Sequence, residues 1–345
     1  LHALKKHEPE LAELATAMRE RPQCRFDNQY KATFSMPLPH LSVLRNAARG
    51  TTLRALAHLA EKEPDTALAN LQLTLHLGEC LATEPTLISQ LVRVSIHEMA
   101  LQVIWEGLVD NRWQVEHLIA IEKKLASIQM LAAFDDAMTW ERNAANFFFA
   151  DLLKKDKNVW KQLDPLTDEP PQDGLDFTGL VPNGFLYYNL VNLNRMHLNF
   201  SHEFIDAKAG RIYPKVANKF DEAVNNIKKK PFYILSAILL PSLDRLARRA
   251  GASQTSLDLA LLAVRLEQHL VKHKSYPKTL ATLPGKQPKD PYSGKAYRYR
   301  LEGQRYTLHG LGWNAKDDGG KVETRGGDAT HPDFQNGDIV WQYER

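Results

Sequence analysis

The chain has 345 residues, 43% of them hydrophobic and 25% charged, with a formal net charge of +3. That is the composition of a soluble globular protein with room for two or three domains. It excludes a low-hydrophobicity disordered chain and makes no case for a nucleic-acid partner. The basic clusters Lys228-Lys229-Lys230 and Arg245, Arg248, Arg249 read as solvated helix ends.

Residues 1 to about 154 read as helices with short breaks. "LHALKKHEPELAELATAM" keeps leucine and alanine on a recurring face. A helix from about Leu41 to Lys62 ends before Pro64, and Asp65 is placed to cap the next one, "DTALANLQLTLHLGECLA". Thr83 to Pro85 interrupt again, and "TLISQLVRVSIHEMALQVIWEGL" follows, with a new entry at Asp110. Helix, short turn and helix, with alanines where helices approach closely, suggest a degenerate tetratricopeptide-like array of helical hairpins. Cys24 and Cys80 lack metal-type spacing, and both a disulfide and two buried thiols fit them.

"MLAAFDDAMTWERNAANFFFADLLKK" extends helix to about Lys155. The Pro-, Gly- and Asp-rich stretch 164–184 supports neither helix nor strand, and is a linker or the wall of a groove. "NFFFADLL" and "FLYYNL" flank it; they read as core, with an aromatic-lined groove between residues 140 and 200 as the alternative. Helices resume near Phe185 and continue over Val216–Asn226, Tyr233–Ala250 and Gln254–Lys274. The longest apolar run, Phe232 to Leu240, is cut off by Pro241 and reads as buried helix, too short to cross a bilayer.

At Ser275 the period switches. "AYRYRL" and "RYTLHGL" alternate as an antiparallel pair joined around Glu302-Gly303. The fold class is therefore mainly α: a helical body over residues 1–250 and a small α+β module over 251–345 containing a short antiparallel sheet.

Near the C-terminus, Asn314 to Gly320 supplies an amide, two carboxylates and two glycines. Calcium takes six to eight oxygens from such groups, and glycine permits the positive φ that turns carbonyls inward. A solvated turn is the competing reading of "DDGG". The pair His269 and His273, one helical turn apart, has the spacing of a zinc pair, but Leu270 stands where a zinc hydrolase needs glutamate. These two read as surface histidines. His97-Glu98, His197, His202-Glu203, Asp135-Asp136 and Glu141 read as satisfied polar residues on helices. The chain has no G-x-S-x-G, no P-loop and no Glu-x-x-His, which leaves only an unfamiliar active site for an enzyme.

The order helix, "YP" (Tyr276-Pro277), "PKDPYSGKAYRY", "RYTLHGLG", a Gly- and Asp-rich loop and "GDIVW" resembles the globular head of the major pseudopilins of type II secretion. The likeness covers Ser256 to Trp341. The whole chain also resembles uncharacterised bacterial envelope proteins with a helical body before such a head. The pseudopilin likeness implies a structural calcium ion, with Asn314 matching the family's first Asp, Asp317 or Asp318 the acidic position before "GG", and Asp338 the closing "D-I". Asp328 and Asp333 lie in a longer insertion with no family counterpart. There is no prepilin leader and no long apolar assembly helix, so assembly into a pseudopilus is not expected. Together these readings imply a non-enzymatic binding or scaffold protein of the envelope or periplasm. Its partner would be a protein or peptide, and a membrane would be reached only through a segment before Leu1. The alternatives are a small-molecule binder or enzyme using the aromatic groove, and an accessory component of a secretion apparatus.

Overall fold

The computed structural model describes residues 7–21, 23–154, 181–240, 243–324 and 333–342. The first four long helices are α1 (Glu8–Glu20), α2 (Pro39–Ala60), α3 (Pro64–Glu79) and α4 (Leu87–Val109), with a 3-10 turn at Tyr30–Ser35. Helices α2 and α3 form a tight antiparallel hairpin. The chain reverses at Lys62, whose φ of 63° lies in the left-handed region, and Pro64 then opens α3, where a missing amide hydrogen costs nothing. Asp65 does not cap this helix. Glu63 holds the cap position without a side-chain bond, and the Asp65 carboxylate instead meets His117 Nε2 at 2.9 Å. Thr51 and Thr74 share a buried hydrogen bond of 2.7 Å across the hairpin.

Thr86 caps α4 through the Ser89 amide. Buried on its inner face, Arg93 is paired with Glu79 at 2.8 Å and also donates to the Gln129 carbonyl. His97 bonds the same Glu79 oxygen at 2.9 Å. Gly107 leaves room for Trp113: a Cβ there would lie 2.1 Å from the indole nitrogen. Trp113 donates to the Ile104 carbonyl and anchors the turn into α5 (Val115–Leu125).

Helix α6 (Met130–Leu153) follows. The predicted loop over 164–184 lies largely outside the described residues, and its last two positions already belong to α7 (Asn183–Phe204). The ribbon of β1 (Ile205–Asp206) and β2 (Arg211–Ile212) leads to α8 (Pro214–Lys228), a 3-10 turn at Pro231–Tyr233, and α9 (Ile234–Leu239). The apolar run there is only partly buried. Leu235, Ala237 and Leu239 are inside, whereas Phe232 and Ile234 are 68% and 50% exposed.

The expected break at residues 251–253 is absent. Helix α10 runs unbroken from Leu243 to His273, and the interruption falls earlier, after Leu239, where Leu240 leaves helical geometry. Gly251, inside the helix, serves a contact: a Cβ there would fall 2.3 Å from the Tyr292 hydroxyl. Leu257, Leu259, Ala260, Leu261, Leu262, Ala263, Val264 and Leu266 of α10 are all buried. A helix apolar on every side is an interior helix, and α10 packs on α4, α5, α6 and α8.

Three strands close the module in the order β3 (Arg298–Glu302), β4 (Arg305–Gly310), β5 (Ile339–Gln342), all antiparallel. The β3–β4 hairpin turns at Gly303, with Glu302 opposite Arg305, as the alternating pattern predicts. Tyr306 and Leu308 point to the core against α10, and Arg305 and Thr307 face away with His309. The result is a mainly helical protein with a small antiparallel sheet near its C-terminus. Among the described residues, no helix is long and apolar enough to cross a membrane.

Candidate metal centre in the C-terminal module

His309 stands on the outer face of β4, directly across the ladder from Arg298 on one side and Val340 on the other. Asp338 immediately precedes β5 and is fully buried. The loop between them folds back through three left-handed residues, Ala315, Gly319 and Gly320, with φ of 53°, 72° and 82°. Glycine adopts that angle at Gly320 without strain, and a Cβ there would press to 3.3 Å from His309 Nδ1.

This path brings His309 Nε2, an Asp317 oxygen and an Asp338 oxygen to within 4.8 Å of one another. Asp317 Oδ1 accepts from His309 Nε2 at 3.1 Å and from the Gly319 amide at 3.1 Å. Its other oxygen accepts from Arg298 Nε at 2.9 Å. Asp338 Oδ2 accepts from the amides of Gly320 at 2.8 Å and Asp318 at 3.0 Å, and lies 3.8 Å from His309 Nε2. Asp338 Oδ1 and His309 Nδ1 are buried and have no hydrogen-bond partner among the described residues.

Burial works against a charge on Asp317, but bonds from His309, the Gly319 amide and Arg298 outweigh it and hold the carboxyl below its ordinary pKa. Asp338 moves the other way. Desolvation raises its pKa despite the two amides and His309, and the neighbouring Asp317 adds to the rise. Arg298 also ties the site to the "KDPYSG" turn, donating to Asp290 at 2.7 Å. The fully buried Asp290 in turn accepts from the Tyr292 and Leu311 amides and the Ser293 hydroxyl.

Of the four residues expected to hold calcium, Asp317 and Asp338 therefore meet. Asn314 and Asp318 bond each other beside them, amide to carboxylate at 2.8 Å, while Asn314 Oδ1 is taken by the Lys316 amide. Asp333 holds a separate turn through the Gln335 amide and the Asn336 side chain, and Asp328 lies outside the described residues. His309 and Arg298 escaped the sequence reading. The available signal was strand alternation, which puts Arg298, Arg300, Thr307 and His309 on one polar sheet face before an acidic loop. The triad offers one nitrogen and two oxygen donors, a set open to divalent cations.

The zinc-spaced histidine pair lies elsewhere, on α10. His269 Nδ1 contacts the Ser275 carbonyl at 2.8 Å, and its ring lies 4.4 Å from that of His273. Of the flanking aromatics, Phe148 and Phe149 are core, as is the neighbouring Leu186, whereas Phe147, Tyr187 and Tyr188 are exposed.

Fold and site together define a mainly helical protein whose small antiparallel module carries a candidate cation centre. No family model, no curated protein and no solved structure matches this chain.

Proposed function

We propose that the chain is a non-enzymatic binding or scaffold protein of a bacterial envelope, with a helical-hairpin body and a pseudopilin-like head stabilised by a structural calcium ion. The observation that carries this reading is the fully buried Asp338 carboxylate, whose Oδ1 has no partner among the described residues, set beside Asp317. A buried carboxylate without full compensation is costly. A bound divalent cation would take up that oxygen and the Asp317 charge together, tying β5 to the loop between the strands. The loop is rich in further oxygens, including the Asp318 carboxylate and Asn314 amide, which suits the high coordination number of calcium. The body would bind a protein or peptide. Tyr187, Val191 and Leu198, at helical spacing on α7, are 55%, 47% and 56% exposed and support that part of the reading.

The test is metal content and thermal unfolding with calcium and then with a chelator. Binding to the folded state alone raises the melting temperature by mass action. Saturating calcium is expected to raise it by about 4 °C, with the shift lost in Asp338→Ala and reduced in Asp317→Ala. A shift with zinc but not calcium would overturn the calcium assignment and make His309 a ligand. No shift with either ion would leave the His309–Asp317–Asp338 cluster as an ion-paired clasp without a metal.

A further inference from the structure

We infer that Cys24 and Cys80 are a redox-active pair that closes to a disulfide, fastening the N-terminal segment to the end of α3. Cys80 terminates α3 and is buried, and Cys24 lies half-buried in the stretch between α1 and α2. Their sulfurs are 2.7 Å apart although 56 residues separate them in the chain. That spacing is well inside the contact distance of two unbonded sulfurs, and little motion separates it from a bond of about 2.05 Å. The same number argues against a metal. His76 belongs to the cluster, giving two sulfurs and a nitrogen, but thiolates around a tetrahedral zinc at about 2.3 Å from each sulfur sit about 3.8 Å apart.

The surroundings assign each thiol a place in the reaction. Burial pushes the Cys80 thiol far up in pKa, so it stays protonated and inert on its own. The more accessible Cys24 is therefore the first to react with a low-molecular-weight disulfide such as oxidised glutathione. Its thiolate forms a mixed disulfide and releases one equivalent of thiolate. Cys80 then gives up its proton to solvent. Cys80 attacks Cys24 Sγ and expels the second thiolate. Two protein thiols are oxidised and one external disulfide is reduced.

The bond would secure the segment from α1 to the start of α2. Helix α1 has no fully buried residue. The segment after it is held in part by Phe26 stacked on His40 at 4.1 Å and Asn28 bonded to Glu84 at 2.9 Å.

The test is to treat the folded, reduced chain with oxidised glutathione, then count thiols after denaturation and map the linked peptides. Both thiols should disappear, the intact mass should fall by two hydrogen atoms, and a peptide joining Cys24 to Cys80 should appear. The oxidised chain should melt several degrees above the reduced one. Cys80→Ser should trap glutathione on Cys24, and Cys24→Ser should leave Cys80 unmodified in the folded state. Two thiols that stay free, two separate glutathione adducts, or zinc uptake that protects both thiols would each overturn the inference. The wild-type thiol count and peptide map decide it even if a variant fails to fold.

Discussion

Asp258 illustrates how a single carboxyl can set the pH response of this fold. It sits half-buried on α10, accepting from the Tyr297 hydroxyl at 2.8 Å and from Gln254 at 3.0 Å. Burial pushes it up to about 7, although both bonds favour the charged form. The folded chain therefore holds this proton more tightly than the unfolded chain, which releases it near pH ~4. Its stabilising effect is full below the unfolded value and is lost as the pH rises through the folded one. Glu141, against the N-terminus of α4, is likewise raised to about 7 by burial and acts in the same direction. Denaturant unfolding across that window should show stability falling with pH, by at most about 1.4 kcal/mol per unit for each group. Asp258→Asn should remove roughly half of that slope; an unchanged slope would mean that Asp258 is not the titrating group.

At the scale of elements, α10 packs against four helices and two strands. Leu262 is buried within it, and Leu262→Ala should cost about 3 kcal/mol through lost contacts and a cavity. Gly251→Val should cost as much for the opposite reason, since the added atoms would collide with Tyr292 and Ile212. Urea midpoints would check both, and a near-neutral Gly251→Val would mean that Tyr292 swings away freely. Gly251 also marks the limit of what local sequence shows. Pro64, the period change at Ser275 and the turn at Gly303 were legible because proline, alternation and glycine act through the backbone nearby. The continuity of α10 was not, because the reason for a glycine in it lies 41 positions away in Tyr292. Asp65 was misread as a cap on the same grounds: its partner His117 is 52 residues distant. In the candidate centre, composition pointed to the acidic loop, and Asp317 and Asp338 do lie close together there. His309 and Arg298 were not legible, because only pairing of β3 with β4 sets them on one face.

Over the whole molecule, one continuous apolar core reaches from Ala55 in α2 to Trp341 in β5. Shared cores favour cooperative melting. Calorimetry should show a single transition, and Trp341→Ala should lower it as a unit, by about 3 kcal/mol at the midpoint. A second, early transition in that variant would show that the strands melt apart from the helices.

Trp105, on α4, donates its indole hydrogen to the carbonyl of Gln342 in β5, 237 residues along the chain. Contacts of such separation form late, after the intervening chain has been gathered. We predict that the last strand docks after the helices have gathered, and that Asp338 reaches His309 and Asp317 only then. An ion held there would act as a latch rather than a nucleus: it would leave the rate of folding nearly unchanged and slow the rate at which the finished protein opens.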